Sequence, residues 1–567
     1  MYPTSAGSGS WKITELHEYP SPTGTMILVA IEDKIRHYSS GWHTLIDSLT
    51  PGKRYSFAEH QGYCYLTNGV DQMQKLYGTD VSRVGLVPPA AAPAAATGPT
   101  GSLDGTYQYV YAYERATPKE LISNPSLISA AVTVASGSID VPVVASADPQ
   151  VQYILIYRTL DLDAGGDPTR FLFVTRLANA DQTYNDQTDD ANLTSDVQFD
   201  NGAPPLAKFL VLHKDMVFYA NCPNKEDGGS LVMWSKAGIG EAVPSLNYQY
   251  FDRKDGYDIT GIASVGDYLV VFKESKLFVM PADMSSQYCF SHEIGCVAGW
   301  SIIQLEYEIV FLSQHGWFSF DGANLYDLSQ SIRRPMIEEG YIRSDIPEAY
   351  YGVHYALYDR FYSLCDHPTN TPRVFCGQLL IPLLYIRSGI SKESAENIVG
   401  WTYHQYPHHH LTSMAMYLDS AGVSRQMGGS SLGYVYKMDF GTTDEGHTIP
   451  YQWQSGWTSL AAAATVFKTL RLAVLAFLID QPPVAQLVIE QDFLPAKIMK
   501  DLVAGYSAYC GYCYCGDIHC GVTNSRINRM SLGGKPTRLF RFTIAGDDSS
   551  TFQLQSLTLN YRTEGVR

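Results

Sequence analysis

Asp267 to Met280 reads DYLVVFKESKLFVM: two apolar runs rich in Val, Leu and Phe, separated by the polar Lys273-Glu274-Ser275-Lys276. Short runs of β-branched and aromatic residues on either side of a polar turn predict an antiparallel hairpin, here turning at Glu274-Ser275. Hardly any polar residue interrupts either run, so a sheet built from it needs cover on both faces.

The unit recurs along the chain. Met26 to Tyr38 turns at Glu32-Asp33, and Ser56 to Thr67 turns near Gln61-Gly62. Tyr307 to Gly322, Tyr355 to Asp366 and Met414 to Phe440 continue the series. A lone hairpin is marginal in water. Hairpins spaced tens of residues apart, with aromatic and Gly markers, predict an all-β chain whose small sheets stack radially as the blades of a β-propeller. A series of β-sandwiches fits the same local signals. Helical pattern is confined to Ser331 to Ile342 and Lys392 to Asn397.

Composition agrees with a β-rich reading. Of 567 residues, 12% are aromatic and only 17% charged, with 40 Tyr, 47 Gly and 29 Pro, a mixture that favours strands and turns. That length exceeds a single core, so several domains are expected. The Pro/Ala/Gly stretch at 85–105 reads as a linker after N-terminal propeller strands at 1–84. Residues 106–204 read as an inserted immunoglobulin- or fibronectin-like β-sandwich. The main propeller follows at 205–455, and a C-terminal β-rich region at 456–567 either completes the propeller or forms a platform.

With 57 acidic against 40 basic residues the formal net charge is −17, and no basic cluster is present. Tight phosphate-neutralising binding is excluded on that balance, whereas an acidic conduit would let a duplex slide past. The N-terminus carries no secretory pattern, and the strongest apolar segment, Leu472 to Ile479, is far shorter than a membrane helix. A chain made in a cytoplasm, with reduced thiols and no membrane segment, is expected.

Each chemical motif has a plainer structural reading. Gly429-Ser430-Ser431-Leu432-Gly433 has the G-x-S-x-G spacing of a nucleophile elbow, but strand-like residues on both sides predict a hairpin turn. Cys510, Cys513, Cys515, His519 and Cys520 give a local density of soft ligands that suits a structural zinc, without the usual pair of separated knuckles; thiols in a loop or interface are the main reading. His404 and His408 to His410 read as an exposed polar loop. Asp161, Asp163 and Asp167 around Gly165-Gly166 lack a full calcium-loop series and read as a hairpin tip. No catalytic residue and no cofactor site are expected.

Several phrases, in order, resemble the tail nozzle (tail tubular, or phage stabilisation) proteins of short-tailed bacteriophages. Near the start are Leu16-His17-Glu18-Tyr19, Trp42, Tyr65 to Asp71 and Leu76-Tyr77-Gly78; in the inserted module, Tyr153 to Arg158 and Thr183-Tyr184-Asn185-Asp186. The densest set is Val232-Met233-Trp234-Ser235, Gly295 to Ala298, Val310 to Ser313, Gly316-Trp317, Phe320-Asp321-Gly322 and Leu328-Ser329. Gly433 to Tyr436 continues it. Gly316 and Gly322 have a physical reason, since tight turns between strands demand positive φ.

The resemblance implies a non-enzymatic virion protein, a propeller-bearing subunit of a hexameric ring in a phage tail. Such a ring sits beneath a tail adaptor, docks fibres or spikes outside, and passes viral DNA transiently along its lumen during ejection. A closed ring of identical subunits needs a head-to-tail interface. Two other functions fit the same fold: a receptor- or glycan-binding propeller using aromatic segments such as Trp401 to Tyr406, and a propeller glycosidase, which needs paired carboxylates.

Overall fold

In the computed structural model, the chain is described over residues 12–564, excepting 40, 282, 285, 306, 330–331, 339, 356–359, 366–372, 379–399, 407–408, 420, 439–447, 461–466, 480–484, 493–496, 503–524, 533–535 and 549–551. The hairpin at Asp267 to Met280 is present: Tyr268–Phe272 pairs with Leu277–Pro281, Val270 opposite Val279, and the polar residues between them make the turn. The hairpins read at Met26 to Tyr38 and Ser56 to Thr67 also turn where expected, with Ile31 opposite Lys34 and His60 opposite Tyr63.

The chain is all-β, in small antiparallel sheets, with one six-residue α-helix among the described residues, Arg333–Glu338, inside the expected helical stretch. No helix among the described residues is long and apolar enough to cross a membrane. The second helical stretch, at 392–397, and the thiol-rich loop at 510–520 lie outside the described residues.

Residues 1–438 form one unit and 439–567 another. In the first, seven sheets follow one another, here numbered 1 to 7: they occupy 13–46, 56–83, 209–250, 261–291, 303–327, 350–405 and 411–437. Six have four strands and the seventh has three among the described residues, each in simple up-and-down order.

Strand alternation explains their stacking. Successive side chains point to opposite faces, so in sheet 4 Val270 and Phe272 pack with Ile309 and Phe311 of sheet 5, while Leu269 and Val271 pack with Phe218 and Val232 of sheet 3. Sheets 5 and 6 meet through Trp317 and Phe361, and 6 and 7 through Leu364 and Leu411. Sheets 7 and 1 meet through Met427 and Val29, 1 and 2 through Leu28 and Cys64, and 2 and 3 through Tyr65 and Tyr219. Seven shared cores thus join seven sheets in a closed circle. Ile309–Ser313 and Gly316–Phe320, buried at every residue, show why these strands read as unbroken apolar runs.

Sheets 2 and 3 touch although the intervening chain is long: the Thr67 hydroxyl donates to the carbonyl of Ala207 at 2.5 Å, and the amide of Leu210 donates to Ser56 Oγ at 2.9 Å. The excursion between them is a β-sandwich. One sheet has the order Leu121–Ile122, Tyr109–Arg115, Tyr153–Arg158, Leu172–Ala178; the other Gln182–Asp186, Val132–Val143, Ala96–Tyr107. Tyr109, Tyr111, Ile154 and Ile156 of the first share a core with Val132, Val134, Ile139 and Val141 of the second.

Two boundaries move. The linker reading of 85–105 fails beyond residue 95, because Ala96–Tyr107 is a strand paired with Val132–Val143. Its glycines serve close approach: a Cβ on Gly101 would stand 2.4 Å from the carbonyl oxygen of Gly137, and one on Gly105 (φ +133°) 2.2 Å from the Asp161 carboxylate. The division at 455/456 shifts to 438/439, since Ile449–Gln454 pairs with Phe540–Asp548. The second unit has its own core, with Leu470, Ala473 and Leu475 of one sheet against Leu487, Ile489, Phe542 and Ile544 of another. Among the described residues, the cores shared by the seven sheets draw on none of its side chains.

Candidate functional site at the centre of the sheet circle

The first strands of the sheets pack round a common centre, which makes it the place where residues distant in sequence converge. The centre is filled on one side by Arg54, from the segment entering sheet 2. Its Nε donates to the carbonyl of Glu348 at 2.6 Å, Nη1 to Thr14 at 2.8 Å and Nη2 to Thr412 at 2.7 Å. One guanidinium, with its donors in a fixed fork, thereby joins sheets 1 and 7 to the segment entering sheet 6.

Beside it the Glu15 carboxylate lies 3.6 Å from Nη1, and both side chains are buried. Burial pushes the Glu15 carboxyl up to about 7, and the neighbouring Arg54 charge only partly opposes that rise. Tyr351 and Trp300 flank the guanidinium, with ring centres 5.3 and 6.0 Å away, and the Trp300 indole donates to the carbonyl of Tyr55 at 3.1 Å.

Adjoining this plug, a cavity of about 530 Å³ opens among the first strands of sheets 1 to 5. Phe57, Phe209, Leu212 and Trp300 supply apolar wall, and His17, Glu59 and Gln304 the polar groups. The His17 ring stacks on Phe57 at 4.2 Å and its Nε2 bonds Glu59 at 2.9 Å. Glu59 is the one carboxylate lining the cavity among the described residues.

The motifs read from sequence are not gathered here. Ser424–Ser430 and Val435–Lys437 are paired strands, so Gly429 to Gly433 is the expected hairpin turn, with Ser430 Oγ donating to the carbonyl of His409. The histidine segment departs in part from the exposed loop expected: His410 is exposed between strands, but His404 lies in a strand and His409 is buried, its ring 4.2 Å from that of Tyr436, while His408 is outside the described residues. Trp401 to Tyr406 likewise lies almost wholly in the strand Gly400–Gln405, and the Trp401 indole donates to the carbonyl of Leu328 at 2.8 Å. Asp161 accepts from the amides of Thr106 and Asp163, and Asp163 from the Thr106 hydroxyl. Those carboxylates serve the turn. The candidate zinc ligands Cys510, Cys513, Cys515 and Cys520 fall outside the described residues.

Sequence reading did not find Arg54 or Glu15. Arg54 sits in a turn-rich stretch that offers no pattern. Glu15 did leave one trace, an acid inside a run otherwise suited to a buried strand.

No family model matches the chain, and no curated protein matches it. Among solved structures, a chain from a Saccharomyces cerevisiae complex of a Dbp5 variant bound to Nup159, a Gle1 variant, IP6 and ADP is similar at 9% identity. The match spans 63% of this chain and 82% of that one, with a TM-score of 0.24.

Proposed function

We propose that this chain is a structural subunit of the nozzle of a short phage tail, and that its seven sheets are the blades of a propeller. Six copies form a ring beneath the tail adaptor, fibres or spikes dock on its outside, and viral DNA passes along the lumen the subunits share. The virion tail is then its location and the host cytoplasm its place of synthesis.

The observation that carries this reading is the order of parts. A circle of small sheets is interrupted once, after the second, by a β-sandwich, and is followed by a separate β unit. The phrases resembling nozzle proteins run in order through sheets 1 and 2, the sandwich, sheets 3 to 5 and sheet 7. The Arg54 plug adds a constraint: it bars one side of the middle of each sheet circle, so in this reading the conduit is made between subunits.

The protein works without chemistry in this reading. Glycoside hydrolysis uses two carboxylates roughly 5 to 9.5 Å apart, whereas the central cavity presents Glu59 alone among its described lining.

Sedimentation mass and negative-stain microscopy, with and without the adaptor from the same genome, test the proposal. Rings of six with an axial hole wide enough for a duplex are expected. A chain that stays monomeric with the adaptor present overturns it.

A further inference from the structure

We propose that Lys75 and Gln150 become joined by a side-chain amide bond that staples the inserted sandwich to sheet 2, with Glu241 as proton carrier and Arg115 as oxyanion donor. Four segments bring the group together. Lys75 lies in the strand Gln74–Tyr77 of sheet 2, where Leu76 faces sheet 1, so Lys75 is turned to the opposite face. Glu241 comes from the loop after the strand Leu231–Trp234 of sheet 3, Arg115 ends a strand of the sandwich, and Gln150 precedes the strand Tyr153–Arg158.

A nucleophile, a base and an amide meet there. Lys75 Nζ donates to Gln150 Oε1 at 2.6 Å and also to Glu241 Oε2. A C=O bond is about 1.2 Å long, so the carbonyl carbon Cδ stands no more than about 3.8 Å from the amine, close to an attacking distance. Arg115 Nη1 donates to the same Oε1 at 3.1 Å, the atom on which negative charge develops when the amine adds. The carboxamide has one orientation that fits: its oxygen faces two cations, while Nε2 donates to the carbonyl of Arg83 at 3.1 Å and to Asp148 Oδ2 at 3.3 Å.

Burial supplies the reactivity. The side chains of Lys75, Arg115 and Glu241 are closed off from solvent, and the Tyr63 ring centre lies 5.3 Å from Lys75 Nζ and from Arg115 Cζ. Burial pushes the Lys75 ammonium down to about 8, opposed by the Glu241 charge and helped by that of Arg115. The neutral amine, the form that attacks, is therefore reached in mild alkali. Below that value the ammonium prevails and the group stands as an ion pair.

The step balances without a co-reactant. Lys75 Nζ adds to Cδ of Gln150, forming the new C–N bond, and Oε1 takes the negative charge against Arg115. Glu241 accepts a proton from Nζ and passes it to Nε2. The Cδ–Nε2 bond then breaks and Nε2 leaves as ammonia beside the half-buried Gln150. Nothing is oxidised or reduced, and the chain is lighter by one ammonia. The bond would hold the sandwich on sheet 2 under a pull to which hydrogen bonds yield.

Peptide mapping by mass spectrometry tests this on the full chain, incubated at about pH 7 and about pH 9 and then denatured and digested with trypsin. A branched peptide joining the segments of Lys75 and Gln150 is expected, lighter than the two together by about 17 Da, and forming about tenfold faster at the higher pH. Glu241→Gln should slow it by about a hundredfold or more. Linear peptides alone after both incubations, or a branched peptide that Glu241→Gln forms at the wild-type rate, overturn the proposal. If the variant fails to fold, the wild-type maps decide, and a bond that forms no faster at the higher pH overturns it as well.

Discussion

The carboxylate of Glu241 accepts from the guanidinium of Arg115 at 2.7 Å, with both side chains buried, and so ties the circle of sheets to the inserted sandwich. Lys75 of sheet 2 reaches the other oxygen of Glu241 and also donates to Gln150 Oε1 of the sandwich at 2.6 Å, while the amide of Gly85 donates to Glu241 at 2.8 Å. Burial raises the Glu241 carboxyl, but Lys75 and Arg115 together overcome that and hold it below the usual carboxylate range. Removing the acid strands two buried cations.

Glu241→Ala is therefore expected to cost about 3 to 5 kcal/mol in urea unfolding at pH 7. A carboxylate with a lowered folded pKa stabilises above its unfolded pKa, and the benefit is lost as pH falls through the folded value. The gap between wild type and variant should accordingly narrow in acid. Equal unfolding midpoints at pH 7 would mean that the node does not hold the sandwich.

A second prediction concerns the edge of that sandwich. Ser123, Ser126 and Ser129 recur at every third residue, each Oγ accepting the amide of Tyr113, Tyr111 or Tyr109 respectively, and each amide returning a bond to the same tyrosine's carbonyl. The segment thus closes a strand edge that would otherwise invite association. Ser126→Ala leaves a buried amide unpaired and should cost about 1 to 3 kcal/mol. Faster hydrogen exchange should then be confined to the Tyr109–Arg115 strand; uniform loosening of the chain would contradict the assignment.

Gly316 gives a third. It opens a strand of sheet 5 at φ +119°, and a Cβ there would stand 2.0 Å from Ser329 Oγ, the acceptor for the Trp317 amide. Gly316→Ala should destabilise by about 1 to 3 kcal/mol or more, from backbone strain and the displaced serine. Gly41→Ala, with nothing within 4 Å, is the control and should change stability by less than about 0.5 kcal/mol. A thermal-melt series on the two variants separates them.

The same glycine shows how far the sequence can be read. Turn positions were legible because a tight turn selects residues that accept positive φ, as at Gln61-Gly62 (φ 53° and 85°) and Gly322 (φ 95°). The stretch 96–105 was misread because glycine placed for close packing has the same composition as glycine placed for flexibility. Arg54 was silent, and Glu15 left only its one trace, for another reason. Partners such as Glu348 and Thr412 lie hundreds of residues away, and no local pattern encodes a carbonyl at Thr412.

Trp401 yields the last prediction, because two readings of one residue differ in what its removal does. As part of a glycan-holding surface its ring would be free to stack on a sugar, and its loss would weaken binding while leaving stability alone. In the structure Phe361 meets that ring edge-on at 5.1 Å and the indole is bonded to Leu328. Trp401→Ala should therefore cost about 2 to 4 kcal/mol, somewhat below a fully buried tryptophan. Trp401→Phe keeps the ring contact but loses the indole donor, so it should recover part of the loss in the same denaturant titration. Unchanged stability in the alanine variant would free the ring for a ligand and return the binding reading to favour.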